Sequence, residues 1–116
     1  MAASARTEQL SLAVEVISEK WRITVLHQLL GGPLRTSQLQ KNLESVSAKV
    51  LTQTLRGLER DGLIDRHVYP GVPPRVEYRL TGIAEQLIAA LAVLSHWSES
   101  YGRETVLARR RYDARA

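Results

Sequence analysis

SAKVLTQTLRGLERDG, residues 47–62, carries two patterns at once. Placed at about 100° per residue, Leu51, Leu55 and Leu58 fall together and mark a face to be buried. Lys49, Gln53, Arg56 and Arg60 point the other way, with Thr52 beside them. Ser47 stands where a helix N-cap accepts a backbone N–H, and Gly62 ends the helix. Taken alone, a Lys, Gln and Arg face is most often solvated surface. A helix of this diameter also fits the major groove of B-DNA. There the same side chains donate to guanine N7 and O6, bond adenine through an amide, or clamp phosphates.

The flanking sequence favours the groove. On the N-terminal side a short helical segment, Thr36 to Leu43 with Thr36 as its expected cap, is followed by the tight turn Glu44-Ser45-Val46. A short helix bracing a second one across a tight turn is the helix-turn-helix arrangement. On the C-terminal side Leu63 to Tyr69 and Arg75 to Leu80 alternate as strands, with Val76, Tyr78 and Leu80 on one face and Arg75, Glu77 and Arg79 on the other. Between them Pro70, Pro73 and Pro74 restrict the backbone while Gly71 lets it turn, so the tip is ordered before any partner arrives. The hairpin completes a winged helix, and Arg75 at its shoulder suits a phosphate or a narrow minor groove, with Arg66 and His67 on the partner strand nearby. The competing explanation is that the prolines protect a sheet edge and that Arg75 pairs with Glu77 or Asp65.

Further out, Trp21 to Leu30 reads as a helix with Trp21, Val25, Leu26, Leu29 and Leu30 inward, stopped by Gly31-Gly32-Pro33. The first helix, Glu8 to Ser18, has two apolar sets: Leu10, Val14 and Ile17, and Leu12 with Val16. The last helix, from its cap Thr81 to about Arg103, carries Ile83, Leu87, Leu91, Leu94 and Tyr101 on one stripe, with Ile88, Ala92 and Val93 beyond it. Both terminal helices hold more apolar surface than one core needs. The expected fold class is mainly α with a small β-hairpin, a winged helix-turn-helix over residues 8–104, with residues 1–7 and 105–116 as loose termini.

Composition agrees with a folded domain and removes other functions. The chain has 116 residues, 44% hydrophobic and 24% charged, and no cysteine, so disulfides, thiolate metal sites and thiol redox chemistry are excluded. No apolar run is long enough to span a bilayer, so a cytoplasmic location is expected. The net charge of +4 owes +3 to Arg109, Arg110, Arg111 and Arg115 against Asp113, leaving the body nearly neutral. That tail adds phosphate attraction or is simply disordered. His27, His67 and His96 are too dispersed to ligate a metal together, and Glu15 with Glu19 reads as one solvated face rather than an acid/base pair. No nucleophile motif and no glycine-rich phosphate loop is present, so neither an enzyme nor a cofactor is expected. Trp21 and Trp97 are candidates to line a small-molecule effector cavity, with ordinary packing as the alternative.

The run LTQTLRGLERDGLI followed by VYPGVPPRVEYRLT closely resembles the HxlR-type winged helix-turn-helix transcriptional regulators of bacteria, relatives of the MarR group. The resemblance spans about Val14 to Trp97, and the proline-rich wing with PPRVEY and a following LT is its most specific part. It implies a homodimer joined through the first and last helices, with Leu12, Val16, Ile88, Ala92, Val93 and Trp97 at the interface. It also implies recognition-helix contacts to double-stranded DNA from Ser47, Lys49, Thr52, Gln53 and Arg56, phosphate contacts from Thr36 and Ser37, and a wing contact from Arg75. Ser37 and Ser47 serve equally well as plain caps. Many members carry a redox-sensing cysteine near the N-terminus, which is absent here, and Ser18-Glu19 stands in place of the family's usual glycine pair. Ala48 likewise replaces the usual proline. The expected function is sequence-specific DNA binding, as a repressor on a pseudo-palindromic operator. The alternative is a winged-helix dimerisation module serving protein association. Gly57, inside the recognition helix, costs about 1 kcal/mol relative to alanine, so either a close backbone approach excuses it or the helix is locally soft.

Overall fold

The computed structural model describes residues 2–115. Its elements are α1 (Ala2–Ile17), α2 (Arg22–Gln28) running into a 3₁₀ turn at Leu29–Gly31, β1 (Leu34–Arg35), α3 (Thr36–Asn42), α4 (Ala48–Arg60), β2 (Ile64–Tyr69), β3 (Arg75–Leu80) and α5 (Gly82–Arg115). Two compact units divide the chain, Met1–Glu85 and Gln86–Ala116. The second is the body of α5.

In the first unit Val25, Leu26, Leu29, Leu39, Leu43, Val46, Leu51, Leu55, Leu58, Leu63 and Ile64 form the core. Most come from one face each of α2, α3 and α4, at the three- and four-residue spacings that put side chains above one another on a helix. Burying each leucine contributes about 1.5–3 kcal/mol. Leu30, expected inward, is instead exposed and lines a shallow cleft with Pro33 and Leu80. The chain tightens into the 3₁₀ turn at Leu29, and the change of pitch rotates the next side chain off the buried face.

The helix-turn-helix is α3 and α4, joined through Leu43 to Ser47. Ser47 is the N-cap of α4, its Oγ accepting from the Val50 N–H at 3.1 Å. At the other end Gly62 has φ +75, the left-handed conformation that glycine adopts without strain. Its N–H donates to the Glu59 carbonyl and the Leu63 N–H donates to the Leu58 carbonyl. This pair of bonds satisfies two carbonyls of the helix end and buries Leu63. The Thr81 hydroxyl donates to the Gly62 carbonyl at 2.7 Å, and its oxygen accepts from Ala84 N–H at the start of α5. One threonine thus fastens the exit of the hairpin to the exit of the recognition helix.

The hairpin has the expected strands and a partner the sequence did not indicate. β1 pairs antiparallel with β3, Leu34 opposite Tyr78 and Arg35 opposite Glu77, giving a three-stranded sheet in the order β1-β3-β2. The pairing also moves the cap of α3. Arg35, held extended by the sheet, is the N-cap residue, and its N–H donates to Gln38 Oε1 at 2.9 Å. Thr36, expected as the cap, is already the first helical residue. The terminal helices extend further than their apolar patterns, to Ala2 in α1 and to Arg115 in α5. The added segments are rich in alanine and arginine, which favour helix without any apolar stripe.

Candidate nucleic-acid interface

The buried and outward faces of α4 are separated as its periodicity requires. Leu51 and Leu58 are fully buried and Leu55 nearly so, while Lys49, Gln53, Arg56 and Arg60 are exposed and Thr52 is half-buried. Among the described residues, none forms a hydrogen bond or ion pair with the side chains of Lys49, Gln53 or Arg56. An ammonium, a guanidinium and an amide therefore project from one helix with their donors available.

The wing and the bracing helix meet in a second feature. Arg35, Thr36, Ser37, Pro73, Pro74, Arg75 and Val76 line a cleft of about 410 Å³. The register of β1 on β3 makes this cleft by bringing the start of α3 alongside the base of the wing. Thr36, Ser37 and Arg75, singled out from sequence in two distant segments, are thereby brought together. Arg35 joins them and was missed, because only the unforeseen strand pairing places it there. Arg75 pairs with Glu77, Nε to Oε1 at 3.5 Å; the Arg75 side chain is exposed and that of Glu77 only 19% so. The contact is a long one, and the terminal nitrogens of Arg75 make no hydrogen bond among the described residues, so they remain available to a phosphate. Arg79 donates from Nη2 to the Tyr69 hydroxyl at 3.4 Å. Ser47 is committed to its cap as an acceptor, which leaves its hydroxyl proton free to donate.

Behind α4 lies a polar cluster. Arg22 Nε donates to Glu19 Oε2 at 3.1 Å, Nη1 donates to the Val16 carbonyl at 3.2 Å, and the same nitrogen pairs with Asp61 Oδ2. Glu19 Oε1 accepts from Thr54 Oγ1 at 3.1 Å, which satisfies the fully buried threonine. Burial works against the guanidinium charge, but the hydrogen bonds and charges of Asp61 and Glu19 outweigh it, so the Arg22 pKa is raised above its ordinary value. Gly57 belongs to this cluster: a Cβ there would stand 2.6 Å from Arg22 Nη2. A side chain at this position would have to displace the guanidinium from its place.

The chain matches the model of the HxlR-like helix-turn-helix over residues 16–106. It belongs to the HxlR-like family. An HTH-type transcriptional regulator of Methanothermobacter thermautotrophicus is 45% identical over 91 residues, covering 78% of this chain and 70% of the relative. A solved structure from Enterococcus faecalis V583, described as a MarR-family transcriptional regulator, superposes with a TM-score of 0.78 at 35% identity, covering 86% of this chain and 91% of that one. The redox regulator HypR in its reduced form gives 0.75 at 31% identity, covering 86% and 98%. The HxlR-like chain is thus a winged helix-turn-helix transcriptional regulator, of a family of regulators rather than enzymes. Unlike a thiol-based redox regulator it has no cysteine in its 116 residues. Among its described residues no group of three or more His, Asp or Glu side chains is placed to hold a metal ion, and no helix is long and apolar enough to cross a membrane.

The residues expected at a dimer interface lie on the terminal helices. On α1, Leu12 is exposed and Val16 half-buried. On α5, Ile88 is half-buried while Ala92, Val93 and Trp97 are exposed. Trp21, the other effector candidate, is half-buried with the Lys20 ammonium 5.3 Å from its ring centre. The Trp97 and Tyr101 rings lie 6.5 Å apart along α5.

Proposed function

We propose that this HxlR-like chain binds duplex DNA as a homodimer, one recognition helix and one wing per half-site, and represses transcription by occupying a pseudo-palindromic operator. The outward face of α4 is the observation that carries this reading: Lys49, Gln53 and Arg56 stand exposed on a helix whose other side is fixed in the core. Gln53 and Arg56 read base edges, Lys49 and Thr52 work at the groove wall, and the Ser47 hydroxyl donates at the helix start. Thr36, Ser37, Arg35 and Arg75 hold phosphates at the cleft beside the wing, which fixes register without reading sequence. The uncovered apolar side chains of α1 and α5, Leu12, Val93 and Trp97 among them, support self-association. Two-fold symmetry would place half-sites about one helical turn apart, roughly 34–36 Å. A DNA target agrees with the cytoplasmic location expected from the sequence.

Mild crosslinking in cells, followed by sequencing of the DNA recovered with the purified protein, tests this. An enriched inverted repeat overlapping a promoter is expected. Recovery of unenriched DNA, with the dimer intact, would favour a module that serves protein association.

A further inference from the structure

Resting on that reading of α4, we infer that Arg22 is a positioning residue for DNA recognition: its guanidinium, seated on the bare backbone at Gly57, fixes the recognition helix to the end of α1. The geometry supplies anchors on both sides. On one side are the Val16 carbonyl, in the last turn of α1, and the Glu19 carboxylate. On the other are Asp61 at the C-cap of α4, Thr54 bonded through Glu19, and the surface of Gly57. The Arg22 side chain is only 13% exposed.

Leucine packing alone does not fix the roll of a helix well, because apolar contacts are not directional. Hydrogen bonds to a planar guanidinium are directional, and a lysine offers a point charge in their place. Arg22 Nη2 can stand this close to α4 because residue 57 has no Cβ. The arginine and the glycine are therefore two halves of one device, and either substitution should release the same constraint. Since α1 carries part of the proposed dimer surface, the angle held by Arg22 sets where each reading helix lies relative to the two-fold axis. Half-site spacing is the property this controls.

The test uses the full chain with Arg22→Met, Arg22→Lys, Gly57→Ala and the Arg22→Met/Gly57→Ala double variant. Duplexes selected by the wild type from a random pool are rebuilt with the half-site spacing changed by one and two base pairs. For Arg22→Met and Gly57→Ala, affinity for the selected duplex should fall about tenfold or more and the preference among spacings should flatten. Nonspecific affinity at low salt should stay within about twofold, and the double variant should be no worse than about threefold below the weaker single, since the two changes share one interaction. Arg22→Lys should fall between wild type and Arg22→Met. Independently of DNA, nitroxides at Glu8→Cys and Glu59→Cys, diluted into unlabelled protein, report the distance between α1 and α4. The absence of native cysteine makes the labelling specific. A distribution that shifts or broadens in both single variants supports the inference. Unchanged distances and unchanged spacing preference would overturn it, as would equal loss of specific and nonspecific binding in variants that keep the wild-type helical circular dichroism. If Arg22→Met does not fold, Arg22→Lys and Gly57→Ala carry the same comparisons. If the wild type selects no duplex, the DNA reading fails, and the distance measurement alone decides whether Arg22 holds α4.

Discussion

Two helices that both carry large apolar residues at helical spacing meet opposite fates. Leu51, Leu55 and Leu58 of α4 are no more than 2% exposed, whereas on α5 Val93 is 71% and Trp97 52% exposed. In the first, α2, α3 and the sheet complete the packing within one unit. In the second, a stripe of large apolar groups remains in water, and on α1 Leu10, Leu12 and Val14 do the same. Periodicity identifies which face of a helix is apolar but not what will cover it. A chain this small leaves such surface open chiefly where a partner closes it.

Core and assembly substitutions should therefore separate. Leu55→Ala is expected to have the largest effect, lowering unfolding stability by about 2–5 kcal/mol in urea denaturation with the denaturant dependence unchanged. A loss below 1 kcal/mol would mean that α4 is less tightly packed than its burial indicates. Trp97→Ala should act on assembly instead, weakening the proposed dimer by about 2 kcal/mol, or roughly 30-fold in dissociation constant, as read by analytical ultracentrifugation. An unchanged constant would remove α5 from the interface. Ser47→Ala removes the cap bond to Val50 and should cost about 1 kcal/mol of folding stability without moving the dimer equilibrium. Arg75→Ala should change stability by no more than about 0.5 kcal/mol while lowering the slope of log affinity for DNA against log salt by about 0.9.

The same contrast explains how much of the molecule was legible in its sequence. Local signals were read correctly: the leucine spacing of α4, its Ser47 and Gly62 ends, the two strands of the hairpin, and the exposed cationic face. Features that depend on remote residues were not. β1 is a two-residue strand with no alternation to detect, and it exists because Tyr78 and Glu77 offer it a ladder. That pairing moved the α3 cap from Thr36 to Arg35 and brought Arg35 into the cleft beside the wing. Gly57 was recognisable as an anomaly, but its explanation lies with Arg22, on another helix. Thr54 would have read as a polar residue beside the leucines, and only Glu19 makes its burial tolerable. The proposed contacts of Lys49, Gln53 and Arg56 with a base or phosphate rest on chemical type and exposure alone.

A fluorescence-anisotropy titration across a salt series, comparing the duplex recovered from cells with a scrambled duplex of equal length, is the most direct test of whether the free side of α4 reads sequence. Affinity for the recovered duplex should exceed that for the scrambled one by about 10³ or more at physiological salt, and Gln53→Ala should narrow the gap by about 1–3 kcal/mol. Equal affinity for both duplexes, falling in parallel as salt rises, would contradict a sequence-reading role for that face.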